Sequence, residues 1–287
     1  MTVVLHTRAE LRAWLDRTRG PRGVVLTMGA LHDGHVALMR AARAEVGDAG
    51  TVLVTVFVNP TQFGPGEDFT RYPRTLDDDV ARCTAAGVDA VFAPDVHEVY
   101  PEDEEVPTYD PGPLADDLEG AIRPGHFVGV LTVVARLLRL TEADVTCFGE
   151  KDYQQLALVR RLPELEPALA QCRFVGVPIV RDADGLAGSS RNRYLTAEER
   201  VQALVIPESV RLVRELCADG IPAAQAERVG RGFLSTSPGV TVDYVVVRSE
   251  TLGPAPVAGP ARVLVAARVG TTRLLDNGPI EIRGVRP

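Results

Sequence analysis

Two imidazoles and two glycines fall within one short stretch, Thr27-Met28-Gly29-Ala30-Leu31-His32-Asp33-Gly34-His35. An apolar run, Val24-Val25-Leu26, precedes it and reads as a buried strand. Val36, Met39, Ala42 and Val46 follow at helical spacing. The stretch is therefore a strand-to-helix turn, where free N–H groups and the positive end of the helix dipole suit a phosphate. His32 and His35 are three apart and face the same way if the first helical turn begins at them. Gly29 and Gly34 admit close approach of a ligand to backbone. Taken alone, the same residues also describe a glycine turn with two solvent histidines. The chain holds only five histidines, and two of them in one turn favour chemistry.

Lysine is scarcer still. Of 31 basic residues, Lys151 is the single lysine. A compact ammonium on a flexible stem differs from a guanidinium fork, although one solvated lysine surviving by chance fits the count equally well. A third segment, Gly185-Leu186-Ala187-Gly188-Ser189-Ser190-Arg191-Asn192, offers two hydroxyls and a guanidinium suited to triphosphate oxygens. Such loops are also common connectors. No GxxxxGK[ST] or GxGxxG occurs, which excludes a P-loop and lowers a dinucleotide reading.

The elements that must position these groups alternate. A short amphipathic helix is expected within 1–20, then the strand at 24–26 with the histidine turn, then a strand at 51–58 ending at Asn59-Pro60. A Gly/Pro-rich loop carrying Gln62 comes next. A helix at 76–86 and a strand at 88–93 precede an acidic, proline-rich segment, 94–113, read as solvated and irregular. Then come a helix at 128–140, a strand at 143–148 ending at Gly149-Glu150-Lys151-Asp152, a helix at 153–162 and a strand at 174–180. Thr196 and Glu199 form a capping-box start for a helix to about 218, which Pro207 kinks or divides. Short strands at 242–247, 262–267 and 272–275 follow, with turns at Gly-Pro and at Asn277-Gly278.

This alternation implies an α/β fold, a doubly wound parallel sheet, with a smaller α+β C-terminal domain. The domains are drawn at 1–175, binding nucleotide and substrate, and 176–287, closing as a lid. Ligands bind beyond the carboxyl ends of such strands. His32, His35, Asn59, Gln62 and Lys151 all fall there.

At 287 residues, with 45% hydrophobic and 24% charged residues, the composition is that of a globular protein. A net charge of −8 argues against a nucleic-acid or membrane-surface binder. Four cysteines without metal or CxxC spacing, and no signal peptide or membrane span, make a cytoplasmic protein the expectation.

Thr-Met-Gly-Ala-Leu-His-Asp-Gly-His, Asn-Pro-Thr-Gln-Phe, Gly-His-Phe-Val-Gly-Val, Phe-Gly-Glu-Lys-Asp-Tyr-Gln-Gln and Ser-Ser-Arg-Asn-Arg-Tyr-Leu, in this order, closely resemble the pantothenate synthetase family. The tail Gly270 to Asn277 also looks like that family's. The histidine turn alone indicates the wider nucleotidyltransferase superfamily, with its Rossmann-like fold. The resemblance implies ATP-dependent adenylation of pantoate, attack of β-alanine on the acyl adenylate, and release of pantothenate and AMP. It further implies ATP contacts from Met28, Gly29, Ala30, Leu31, His32, Asp33, Gly34 and His35, with His35 as nominal proton donor. Gly149, Glu150, Lys151, Asp152, Val180, Gly188, Ser189, Ser190 and Arg191 would complete the nucleotide site, with Lys151 on the phosphates. Gln62 and Gln155 would hold pantoate, Asn59 would assist, and a homodimer is implied.

Mg²⁺ would accompany ATP. Asp78 and Asp79 are candidate ligands, although three aspartates at a helix start also read as a dipole-favoured run. Leu26 stands where the family has proline, and Gly188 where it has a larger apolar residue. The competing readings are a nucleotidyltransferase that leaves AMP on its product, and a nucleotide-binding relative without chemistry.

Overall fold

A computed structural model describes residues 2–64 and 68–284. Positions 65–67 of the Gly/Pro-rich loop lie outside the described residues. The chain divides into two compact units, one of 1–150 with 154–178, the other of 151–153 with 179–287.

The first unit opens on β1 (Val3–Leu5) and α1 (Arg8–Leu15) rather than on one helix. Thr7 separates them through a capping box, its Oγ1 accepting from the Glu10 N–H and its own N–H donating to Glu10 Oε2. β2 (Arg22–Thr27) leads into α2 (Asp33–Val46), β3 (Thr51–Val56), α3 (Leu76–Ala85), β4 (Ala90–Phe92) and the single turn α4 (Val96–Val99). Another short turn, α5 (Glu119–Ile122), precedes the long α6 (His126–Leu140), β5 (Val145–Gly149), α7 (Tyr153–Val159), α8 (Leu162–Leu165) and β6 (Arg173–Val177).

All six strands are parallel, in the order β1-β4-β3-β2-β5-β6. β2 and β3 are almost continuously apolar because helices cover both faces of a parallel sheet. Val25, Val54, Val91 and Val145 pack with Leu31, Met39 and Ala42 in one core. Strand order reverses between β2 and β5, and a ligand crevice in such sheets opens beyond the strand ends at that reversal.

Residues 102–105 of the acidic segment are exposed, as their composition suggests, and one of them is tied to a buried arginine. Arg136 of α6, 5% exposed, pairs through both terminal nitrogens with Glu104 and donates from Nε to the Val99 carbonyl at 3.0 Å.

The second unit stacks helices on an antiparallel sheet. The expected long helix is divided into α9 (Ala197–Ala203) and α10 (Val205–Ala218). Pro207 lies in the first turn of α10, where a missing N–H costs nothing. α11 (Ala223–Leu234), not anticipated from sequence, packs Ala226 and Leu234 against Val210 and Val213. The sheet is β7 (Val240–Ser249), β8 (Gly259–Val269) and β9 (Thr272–Ile282), in that order. Asn277-Gly278 is therefore not a turn. It lies inside β9, Leu264 pairing with Asn277 and Val263 with Gly278, and the hairpin turns instead at Gly270, φ +55°. β9 is an edge strand, which tolerates Pro279.

Candidate functional site

In the first unit, the chain leaves β2 through Met28-Gly29-Ala30-Leu31. Gly29 has φ +83° and Ala30 φ +51°, the left-handed region where a Cβ is strained. Asp79, 1% exposed, holds this conformation. Its Oδ2 accepts from the Ala30 N–H at 3.0 Å and its Oδ1 from the Leu31 N–H at 2.7 Å, while Thr75 Oγ1 donates to Oδ2 at 3.2 Å. The metal role expected of Asp78 and Asp79 finds no support in this arrangement. Asp79 is committed to the turn, Asp78 is exposed, and no three His, Cys, Asp or Glu side chains among the described residues could hold an ion together.

His32 is the N-cap of α2, and the two histidines form a reciprocal capping box. His32 Nδ1 accepts from the Gly34 N–H at 3.1 Å, and His35 Nδ1 accepts from the His32 N–H at 3.2 Å. With Nδ1 accepting, each neutral ring carries its proton on Nε2. The ring centroids are 4.1 Å apart. A Cβ at Gly34 would stand 2.8 Å from His32 Cε1, so a larger residue there would push the His32 ring out of this arrangement. Asp33, between them, is exposed and 3.5 Å from Arg82.

Beyond β3, Asn59 is 1% exposed and caps the short 3-10 helix Pro60–Gln62. Its Oδ1 accepts from Thr61 Oγ1 at 3.0 Å and from Tyr100 Oη at 2.9 Å. Its Nδ2 donates to Gln62 Oε1 at 3.1 Å and to the Gly129 carbonyl at 3.2 Å. Asn59 thus orients Gln62, whose Nε2 donates to Met28 Sδ at 3.1 Å.

Three residues that sequence reasoning assigned no part, His126, Arg123 and Gly129, also act on Gln62. His126, at the start of α6, places Nδ1 2.8 Å from the Gln62 carbonyl, with Arg123 Nη1 2.8 Å from its Nε2. An arginine cannot accept, so His126 accepts at Nε2 and donates from Nδ1. Gly129 lets α6 lie against the 3-10 helix, since a Cβ there would meet the Thr61 carbonyl at 2.2 Å. His126 and Gly129 sit in the Gly-His-Phe-Val-Gly-Val motif.

Of the paired glutamines on α7, Gln154 is 3% exposed and spent on structure. Its Oε1 accepts from the Glu119 N–H at 2.9 Å, and its Nε2 donates to the carbonyls of Leu114 and Asp117 at 2.7 and 2.8 Å. Gln155, half-buried, carries none of these bonds.

In the second unit, Lys151 Nζ is 3.5 Å from Asp152 Oδ1. Gly149 ends β5, and Glu150, the last residue before Lys151 in the first unit, opens a 3-10 turn. The segment 180–188 is a tight hairpin. Arg181 pairs with Ala187, and the Gly188 N–H donates to the Val180 carbonyl at 2.9 Å. Ser189 caps the 3-10 helix Ser190–Tyr194, its Oγ accepting from the Arg191 N–H at 3.2 Å. Ser189, Ser190 and Arg191 are half-buried.

Fold and site define a class: a doubly wound α/β protein with a donor-rich turn where its strand order reverses. A family model described as pantoate-beta-alanine ligase matches residues 3–279. A pantothenate synthetase of Salinispora arenicola is 52% identical over 284 residues, covering 98% of this chain and 99% of its own. The crystal structure of pantothenate synthetase from Thermus thermophilus is similar at 48% identity and TM-score 0.88, over 96% of this chain and 99% of that one. A Francisella tularensis pantoate-beta-alanine ligase, complexed with beta-gamma ATP and beta-alanine, shares 30% identity and TM-score 0.79 over 97% of each chain. The chain belongs to the pantoate–β-alanine ligase family.

Proposed function

We propose that this chain joins pantoate to β-alanine with the residues described above in the following parts. The reaction is the family's: a pantoate carboxylate oxygen attacks the α-phosphorus of ATP, and pyrophosphate leaves. The amine of β-alanine then attacks the acyl carbon of pantoyl adenylate, and AMP leaves with the bonding pair.

The observation that carries the assignment is the histidine capping box. Because backbone N–H groups occupy both Nδ1 atoms, His32 and His35 act through Nε2–H, as donors toward phosphate oxygens. The N-terminal N–H groups of α2 add to the same field. Lys151, Ser189 and Arg191 stabilise the charge that develops on the α-phosphate and the departing pyrophosphate. Gln62 and Gln155 orient pantoate by hydrogen bonds without adding charge, and Asn59 keeps Gln62 in place. Mg²⁺ enters as part of the nucleotide substrate, carried on its phosphates, because the donor set around Asp79 is already committed.

Four free, buried cysteines suit a reducing cytoplasm, and among the described residues no helix is long and apolar enough to cross a membrane. Homodimerisation is proposed on family grounds.

Lys151→Ala tests the assignment. Pantoate-dependent exchange of labelled pyrophosphate into ATP falls at least about 100-fold, the scale of losing one transition-state donor, with the thermal midpoint unchanged. Near-normal exchange by the folded variant overturns the lysine's part.

A further inference from the structure

Asp276 and Asn277 are consecutive in β9, and each is 2% exposed. Their side chains leave the strand on opposite faces. Asn277 Nδ2 donates to the Lys151 carbonyl at 2.8 Å, and Asn277 Oδ1 accepts from Arg262 Nη1 at 2.5 Å. Arg262, 6% exposed, lies 3.7 Å over the centroid of the Tyr153 ring, and Tyr153 Oη donates to the Glu250 carbonyl at 3.0 Å. The three residues 151–153 are thereby fixed at both ends.

Asp276 engages Arg181 in a fork, at 2.8 and 2.9 Å, and Arg181 Nη1 also donates to the Gly185 carbonyl at 3.0 Å. Arg181 belongs to the hairpin that leads into Ser189 and Arg191.

Buried ions and amides are a poor route to stability, since well-packed apolar residues of similar volume often do as well. These particular ones converge on the two segments that supply the proposed phosphate cation and hydroxyls. Asp276-Asn277 gives both segments one common reference. We infer that this pair is a positioning element: Asn277 sets the Lys151 backbone and Asp276 the 180–188 hairpin, so that one strand registers the ammonium against the Ser189–Arg191 loop. The inference rests on the proposed role of Lys151.

Asn277→Asp is the selective probe. It is isosteric and keeps the acceptor for Arg262, but it replaces the donor to the Lys151 carbonyl with an oxygen. The dissociation constant for Mg-ATP is measured by calorimetry on the full chain for four proteins: the unaltered chain, Asn277→Asp, Lys151→Ala and the double variant. A residue acting through Lys151 gives non-additive effects, whereas a merely structural one gives additive effects. Asn277→Asp is expected to weaken ATP binding about tenfold in the unaltered chain and less than about twofold in the Lys151→Ala background. Equal weakening in both backgrounds, or none in the first, overturns the inference. If Lys151→Ala alone leaves ATP affinity and pyrophosphate exchange unchanged, the lysine reading itself fails and takes the inference with it. Should Asn277→Asp not fold, Arg262→Lys enters the same cycle. It retains a cationic donor for Asn277 but loses the planar stack on Tyr153.

Discussion

The Asp79 carboxylate accepts the Leu31 N–H at 2.7 Å, so a buried anion on α3 shapes the turn that delivers both histidines to the end of β2. Removing an acceptor from two buried N–H groups exposes an unmet desolvation cost of about 1–3 kcal/mol per group. Asp79→Asn keeps one acceptor and presents an amide N–H₂ where an acceptor is needed. It is expected to lower unfolding stability by about 2 kcal/mol and to impair ATP binding, with the Mg²⁺ dependence of the residual activity unchanged. Urea titration and a Mg²⁺ series check this. An unchanged stability with a shifted Mg²⁺ requirement would return Asp79 to the metal role.

Gly129 is the close-approach point between α6 and Gln62. Gly129→Ala puts a Cβ against the Thr61 carbonyl and Gln62 Cα, at 2.2 and 2.9 Å. Overpacking of this kind costs about 1–3 kcal/mol. The displaced glutamine should raise the KM for pantoate more than tenfold while the Kd for ATP stays within about twofold, since the effect is on one orienting amide. Steady-state kinetics with pantoate varied, paired with ATP calorimetry, separates the two. A uniform loss on both substrates would mean that α6 supports the whole unit rather than Gln62.

What sequence alone could reveal follows a physical line. β2, β3 and β5 announce themselves because strands covered on both faces must be apolar throughout, and the histidine turn because its glycines and rings are adjacent in the chain. β1 escapes because three residues at a sheet edge carry no period. Asn277-Gly278 reads as a hairpin until the amide is seen bonded to Lys151 and Arg262, residues 126 and 15 positions away. Asp79 looks like one of three solvated aspartates because its partners, Ala30 and Leu31, are backbone groups 48 or more residues upstream. The resemblance supplied the residue types of the proposed site. It did not carry the division of labour, with Gln154 structural beside Gln155, and Asn59 serving Gln62.

Glu104 and Arg136 give the first unit an acid-sensitive tie. Hydrogen bonding from Arg136, with help from Arg8, holds the Glu104 carboxyl below the usual carboxylate range. Its contribution is therefore complete above about pH 4, the ordinary carboxylate value, and is lost as pH falls below that through the lowered value. Glu104→Gln leaves a buried guanidinium with a weaker partner. With Glu104 itself 40% exposed, the loss is about 1 kcal/mol at neutral pH. The difference from the unaltered chain should shrink toward pH 2, as followed by thermal midpoints. A constant difference across that range would contradict the pairing.

The four cysteines are buried and unpaired. Burial, with Asp79 nearby, pushes the Cys83 thiol up to about 12; burial, with Asp144 nearby, does the same to Cys172. Burial, with Glu45 nearby, raises Cys147 to about 11, and Cys217 is raised mainly by burial. Thiolate, the reactive form, is scarce in all of them at pH 8. A thiol reagent should label less than about one group per native chain within minutes, and all four in denaturant. Prompt labelling of several native thiols would contradict their burial.

The chain activates pantoate as an acyl adenylate before any amine is present. Pantoate-dependent exchange of labelled pyrophosphate into ATP, with Mg²⁺ and without β-alanine, measures that half-reaction directly. Exchange that requires pantoate, followed on addition of β-alanine by AMP stoichiometric with pantothenate, is the predicted result. ATP binding without exchange under saturating pantoate would contradict the claim.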